Sequence, residues 1–553
     1  MAKKHSTTAL TAEDHKAQDE RYAEGHEYDY VFVGTGNSAL VAAALLAKAG
    51  KKVCMLEAHD IPGGYAQTFE MGDFKFCAQV HYIWGCGPGG LIYEFLKKVG
   101  LEKDITFEVM GPEFYDLMAM PDGKKVGIPY GWDKLVENIE KEYPGEKEKV
   151  EKFCKTMDDL RDEMARFPNR PLTLWDYLTK WPKFLNLIKY RKKTLQDLFD
   201  ECKLSKEAQA ILCANAGDFM LPPNRLSLFS YAGLFGGYNT GSYYPTKHFK
   251  YYVDRLASFI TDHEGCHIYY ETKVNKFEVK DGKIAAVETE NGKRFEAKEN
   301  FVCNMDPQSA AKMIGWDHFD AKQKKQLSYE YSQSGVVIYL GLKKGFDLRE
   351  HGFGSFNIWH LEQWDMNKMW DEMAVGDFTN PWVFLSTPTL HTHEGGNSPE
   401  GQQVLELASY IEHKPFKERV DKSYKDYVEL KMKIADRMID LVEEKYIPNL
   451  RDNIDVKVVG SPTTSEDFVM APVGNAYGSA MTVENVSADR LKSATPFSNL
   501  WWCNASSGYA GMYGTAATGV NLYMQLTGDE FYTGDVPASD EKLLKDLKVR
   551  LSN

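Results

Sequence analysis

The chain has 553 residues, 43% of them hydrophobic, and a formal charge of -14. That length gives room for more than one lobe, and the acidic balance argues against a nucleic-acid or general polyanion binder, which needs a basic face. Nine scattered cysteines without a CxxC pair argue against a disulfide framework or structural zinc, and fit a reducing, cytoplasmic setting.

Residues 1–27 are polar and mixed in charge, lack the apolar stretch of a secretory signal, and read as a flexible leader. No run of about eighteen apolar residues follows, so no membrane-spanning helix is expected, while attachment at a membrane surface stays open. From Tyr28 the pattern sharpens. Val31-Phe32-Val33 reads as a buried strand and Gly34-Thr35-Gly36-Asn37-Ser38-Ala39 fits GxGxxG/A. Gly34 permits the tight turn, Gly36 lets backbone approach a pyrophosphate, and small Ala39 lets the helix pack on the strand. Leu40 to Ala49 is Ala- and Leu-rich and helical, with Gly50 as its stop. Val53 to Leu56 is a second strand ending at Glu57, where a carboxylate accepts ribose hydroxyls and repels a 2'-phosphate.

Phe114 to Met120 predicts a strand, Asp122-Gly123 a turn, and Trp132 to Met164 mostly helix. Leu174 to Phe199 interleaves aromatic and apolar residues with lysines. Such a segment either lies in a bilayer interface as a peripheral contact or packs in the second lobe with snorkelling lysines. Tyr231 to Tyr252 is aromatic enough to wall an apolar ligand pocket. Phe249 to Ile260 has helical apolar spacing, and Asp281-Gly282 and Asn291-Gly292 divide His267 to Ala297 into a three-stranded meander. Lys298 to Asn304 reads as a buried strand, and Val336 to Leu342 returns to the second lobe. His391, His393 and Glu394 sit among Thr and Gly residues without a fourth ligand, which favours a surface loop over a metal site. Cofactor-type segments at the start, middle and end indicate a discontinuous domain.

After Glu57 comes Ala58 to Phe69, with Gly63, Gly64 and Thr68, which resembles the E-x-x-x-x-x-GG-x-x-x-T extension of FAD-binding oxidoreductases. Phe76 to Trp84, with His81-Tyr82-Ile83, is most similar to the phytoene desaturase, carotenoid isomerase and retinol saturase branch of the flavin amine oxidase-like superfamily. That branch lies close to monoterpene dehydrogenases. GYNTGSYYP (237–245), VCNMDP (302–307), SGVVIYLGL (334–342), APVGNAYG (471–478) and the glycines 508, 511, 514 and 519 agree in order and spacing.

The resemblance implies an α/β chain with a discontinuous Rossmann-type FAD-binding domain, glutathione reductase-like, and a second, mixed α+β substrate lobe. FAD-binding parts are expected at 28–110, 246–310 and 480–530, substrate-lobe parts at 111–245 and 311–479, and a tail at 531–553. It also implies hydride transfer at a carbon-carbon bond of an apolar isoprenoid. Val274 would pack on the adenine side, Asn304 would lie at the cofactor, and Gly511 and Gly514 would bring amides toward the flavin.

His81 is the candidate proton donor or acceptor, with a hydrogen-bonded structural histidine as the alternative. The chain departs from the family pattern at Cys77 and Gln79, where F-D-x-G is usual, at Lys247-His248, where Gly-Gly is usual, and at Cys503-Asn504, where Ala-Gly is usual. These departures keep two rivals open: a redox-neutral isomerase using reduced FAD, and a non-catalytic flavin-binding partner of a paralogous subunit. No second nicotinamide fingerprint is seen, which leaves a quinone, another protein, oxygen or NAD(P) as the electron partner.

Overall fold

The computed structural model describes residues 10–167, 181–487, 489–529 and 531. Strand β1 (Tyr28–Val33) leads through Gly34-Thr35-Gly36 into helix α2 (Asn37–Lys48), and β2 (Val53–Leu56) follows. These strands sit in a five-stranded sheet ordered His267–Tyr269, β2, β1, Ala297–Cys303, Leu500–Trp502, and every pairing is parallel. Three distant stretches of chain thus build one Rossmann-type sheet. Its strands are apolar on both faces because helices cover them. Helix α2 is buried from Asn37 to Ala47, as an all-round apolar helix must be. The C-terminal helix Gly511–Thr527 crosses it so closely that a Cβ on Gly519 would stand 2.5 Å from the Ser38 carbonyl oxygen.

The meander forms from Val274–Lys280, Lys283–Thr289 and Arg294–Phe295, all antiparallel. His267–Tyr269 lies outside it, having joined the parallel sheet beside β2.

The second lobe is built on a seven-stranded sheet ordered Ile454–Gly460, Ser334–Leu342, Val404–Ile411, Trp382–Ser386, Asn357–Leu361, Asp116–Ala119, Lys125–Ile128. It is antiparallel except where Asn357–Leu361 meets Asp116–Ala119. A three-stranded patch of Ile83–Trp84, Ser242–Pro245 and Phe107–Val109 carries the segment after Cys77 against this lobe.

One further expectation changes here. Within 1–27, residues Ala12–Ala23 are not a free leader but helix α1, started by a reciprocal capping box of Thr11 and Asp14. The helix is held by polar contacts that apolar periodicity does not reveal: the Gln18 side-chain oxygen accepts the Tyr270 amide at 2.6 Å, and Asp19 pairs with Lys293 at 2.6 Å. In the 174–199 segment, residues 174–180 lie outside the described residues. Beyond them Lys189 pairs with Glu201 and Lys192 with Asp489, while Leu185 and Ile188 are exposed. No helix among the described residues is long and apolar enough to cross a membrane.

Candidate cofactor and active site

Four strands of the parallel sheet end at one edge, and each hands over to a residue of the site: Gly34 after β1, Glu57 after β2, Asn304 after Ala297–Cys303, and Cys503 after Leu500–Trp502. Such an edge is where open α/β sheets bind ligands. Gly34 holds a positive φ of 102°. The Gly36 amide donates to Asn304 Oδ1 at 2.7 Å, and a Cβ on Gly36 would come within 2.6 Å of that oxygen, so no side chain fits there. Asn304 is fixed in turn by donating to Cys503 O and Ser38 Oγ. Glu57 accepts the Thr35 amide at 2.9 Å, the Thr35 hydroxyl, and the His59 amide at 2.8 Å.

Gly63 and Gly64 return to this turn. Gly36 and Gly63 form a parallel bridge, and the Gly63 amide donates to Thr35 O at 3.1 Å. The Thr68 hydroxyl is buried without a partner. Helix α2 begins with no side-chain cap and no acid in its first turn, which leaves its positive end open to an anion. These glycines, buried Ala39, the Glu57 carboxylate and the orphaned Thr68 hydroxyl form a donor and acceptor set that fits a dinucleotide.

Gly511 and Gly514 open the C-terminal helix beside this cradle, and Asn37 Nδ2 donates to Met512 O at 3.0 Å. Val274 is buried at the first position of the meander, two residues after Thr272, whose amide donates to Glu57 O at 2.7 Å.

His81 lies next to the second lobe. Its Nδ1 is 2.9 Å from Glu406 Oε2, and Glu406 sits fully buried in the apolar strand Val404–Ile411. Burial raises the Glu406 carboxyl and the His81 contact partly offsets it. The other Glu406 oxygen, Oε1, is buried and unpartnered, as is the Tyr244 hydroxyl. Phe384 packs on the His81 ring at 5.1 Å, Tyr82 stacks on Tyr238 at 4.3 Å, and Trp84 stacks on Tyr513 at 3.4 Å. Through the Trp84–Tyr513 pair these rings connect to the helix Gly511–Thr527 that crosses α2.

The departures from the family pattern take distinct places. Cys77 is buried, with burial pushing its thiol up to about 12, and Gln79 is partly buried. Asn504 is a structural tie: Nδ2 donates to Met305 O at 3.2 Å while Oδ1 accepts the Ser506 and Ser507 amides at 3.0 Å. Lys247 lies over the Tyr251 ring at 4.6 Å, whereas His248 is buried with φ of 71° and an unpartnered Nε2. A histidine thus occupies left-handed backbone that suits the glycine of the family pattern.

His391 is no surface residue. Its Nε2 lies 3.2 Å from Ser386 Oγ and 3.1 Å from Asn357 Oδ1, and burial lowers the ring to about 3. His393 is exposed against Glu108, and no His, Cys, Asp or Glu group capable of holding a metal occurs among the described residues.

Sequence reasoning missed Glu406 and a second acidic group, Asp116 with Asp218. Both Asp116 and Asp218 reach Tyr82 and Asn215. The one available signal was an acid inside an otherwise apolar strand, as in Asp-Leu-Met-Ala and Val-Leu-Glu-Leu.

Comparison with known proteins agrees with this geometry. Residues 33–99 match the NAD(P)-binding Rossmann-like domain family. The chain is 24% identical over 512 residues to an all-trans-retinol 13,14-reductase of Danio rerio, covering 86% of this chain and 82% of that one. It is 25% identical over 546 residues to prolycopene isomerase 2, chloroplastic, of an Oncidium hybrid cultivar, covering 94% and 87%. Cyclohexylamine oxidase from Brevibacterium oxydans shares the fold with a TM-score of 0.58 and 14% identity, over 94% of this chain and all of that one. Over most of its length the chain is therefore similar to retinol 13,14-reductases and prolycopene isomerases, and its fold is that of the amine oxidases.

Proposed function

We propose that the protein is an FAD-dependent oxidoreductase that moves hydride at a carbon-carbon bond of an apolar isoprenoid such as a carotenoid, retinoid or terpene. The observation that carries this reading is the helix Gly511–Thr527, which ties the cradle to the aromatic wall of Tyr82, Trp84, Tyr238 and Tyr513: Met512 O accepts from Asn37 at the start of α2, and the next residue, Tyr513, stacks on Trp84. A dinucleotide cradle alone is compatible with NAD. The Gly63-Gly64 loop bridged to Gly36 and the related reductases and isomerases favour FAD.

When bound, the flavin supplies the hydride chemistry. The chain's own residues do the rest. The α2 N-terminus would receive the pyrophosphate beside the Gly36 amide, which Asn304 Oδ1 holds, Glu57 would accept ribose hydroxyls, and Val274 and Thr68 would flank the cofactor. The aromatic wall excludes water from the reacting carbons. His81, with Nδ1 tied to Glu406, would orient the substrate through its Nε2. The exposed Leu185 and Ile188 support a peripheral membrane contact through 174–199, by which an apolar substrate would arrive.

A redox-neutral isomerase is the second reading, favoured by the match over 94% of this chain to a prolycopene isomerase. Anaerobic mixing of the flavin-loaded protein with terpenes, retinoids and carotenoids separates the two. Substrate-dependent bleaching of oxidised flavin, or reoxidation of reduced flavin, supports the oxidoreductase. Isomerised product with no net flavin change supports the isomerase. Flavin that no isoprenoid oxidises, reduces or requires leaves the chain as a non-catalytic partner of a paralogous subunit.

A further inference from the structure

The second lobe holds two carboxyls without a cation. Asp116 opens the strand Asp116–Ala119 and is fully buried, while Asp218, in the short helix Ala214–Phe219, keeps part of its surface open. Both Oδ2 atoms converge on the same two donors. The Tyr82 hydroxyl lies 2.9 Å from Asp218 Oδ2 and 3.3 Å from Asp116 Oδ2, and Asn215 Nδ2 lies 3.1 and 3.3 Å from them. Asn215 Nδ2 also donates to the Tyr82 oxygen at 2.7 Å, and Asn357 Nδ2 reaches Asp116 Oδ1 at 3.3 Å.

Counting hydrogens decides the charge state. Tyr82 has one to give, Asn215 has two, of which one goes to Tyr82, and Asn357 gives one to Asp116 Oδ1. That leaves too few for two ionised carboxylates side by side, and among the described residues neither takes part in an ion pair. Two like charges so placed cannot both ionise freely. The groups facing the pair are tyrosines, namely Tyr82, Tyr115, Tyr130, Tyr231, Tyr238 and Tyr477, each raised by burial with the acidic or phenolic neighbours adding to it. Burial pushes Asp116 up to about 7 and, with the Asp116 charge second, Asp218 to about 7.

We propose that Asp116 and Asp218 share one proton and exchange it with a substrate carbon, Asp218 being the member that faces the substrate. This rests on the oxidoreductase reading above. Position supports it: Tyr82 follows His81 in the aromatic wall, and Tyr477 is flanked by Asp218 and by Tyr65 of the Gly63-Gly64 loop. In saturation, Asp218 gives its proton to one alkene carbon while the other receives hydride from the reduced flavin. The π bond is lost, two C–H bonds form, the flavin is oxidised by two electrons, and the pair stays doubly ionised until solvent returns a proton. Desaturation is the reverse, with the doubly ionised pair as base.

The test joins infrared spectroscopy of the full chain to turnover. The wild type should show a protonated carboxyl stretch that titrates near neutral pH and shifts in D2O, and Asp116→Asn combined with Asp218→Asn should remove it. Asp218→Asn should keep its flavin yet lose about 100-fold or more in kcat, the usual scale of general acid-base catalysis, and wild-type product made in D2O should carry deuterium at one carbon. A wild type without such a band from pH 6 to 8 overturns the proposal. So does a band that survives the double variant and disappears in Glu406→Gln, or an Asp218→Asn enzyme with unchanged rate and pH profile. Should Asp116→Asn not fold, the wild-type titration and the partly open Asp218 still decide. If no isoprenoid turns over, the function reading fails, while the infrared result still rules on the shared proton.

Discussion

His81 Nδ1 stands 2.9 Å from Glu406 Oε2, and that carboxylate lies in an apolar strand with its second oxygen unpartnered. A carboxylate so enclosed orients the imidazole and fixes which nitrogen carries a proton toward Glu406. His81→Asn is therefore expected to lower kcat by about 100-fold with flavin content intact. Glu406→Gln keeps the shape and a hydrogen bond, and should cost less while displacing the pH profile of kcat. Equal losses in both variants, with unmoved profiles, would mark the pair as structural only.

The cradle makes a separate demand. A Cβ on Gly36 would sit 2.6 Å from Asn304 Oδ1, which is itself held by Cys503 and Ser38. Gly36→Val should weaken flavin retention by tenfold or more, equivalent to about 1.4 kcal/mol, and Glu57→Ala should weaken it through the lost ribose contact. Gel filtration followed by the ratio of flavin to protein absorbance measures both. Full flavin occupancy in Gly36→Val would place the pyrophosphate elsewhere.

What could be read from sequence depended on how local the cause was. Tyr28 to Glu57 was legible because a glycine turn, an apolar helix and a terminal acid act within thirty residues, and the meander was legible because Asp281-Gly282 makes its own turn. Asp116, Asn215, Asp218 and Asn357 were not, since three elements converge only once the second sheet has formed. His391 misled for a related reason. Its Thr and Gly neighbours describe a loop, but its ring is anchored by Ser386 and Asn357 from elsewhere in the sheet. Helix α1 escaped because polar contacts dock it.

His248 carries a cost on the acid side. The ring is 2% exposed, its backbone lies at φ 71°, and burial lowers it to about 3. A histidine so depressed contributes stability above its unfolded value near 6.5 and loses it as pH falls toward the folded value, because the unfolded chain binds the extra proton. At pH 5 the loss is about 2 kcal/mol. His248→Gly removes both this loss and the backbone strain, at the expense of packing. Its stability deficit against wild type, measured by urea unfolding, should therefore shrink between pH 7 and pH 5. A deficit independent of pH would mean that the ring is charged or solvated.

The carboxyl pair has the opposite sign. Asp116, at about 7 in the fold against about 4 in an unfolded chain, binds more protons folded than unfolded across that interval. Its contribution is complete below pH 4 and is lost as pH rises through 7, a change on the order of 4 kcal/mol for the carboxyl that keeps the shared proton. His248 and His391 pull the other way below pH 6.5, so the raw stability curve mixes the two effects. The difference between wild type and Asp116→Asn isolates the pair. An amide neither ionises nor needs the proton, so wild type should lose ground to the variant from pH 5 to about pH 7 and hold level above it. Parallel unfolding midpoints over that range would show that the pair carries two charges throughout, and the shared proton would have to be abandoned.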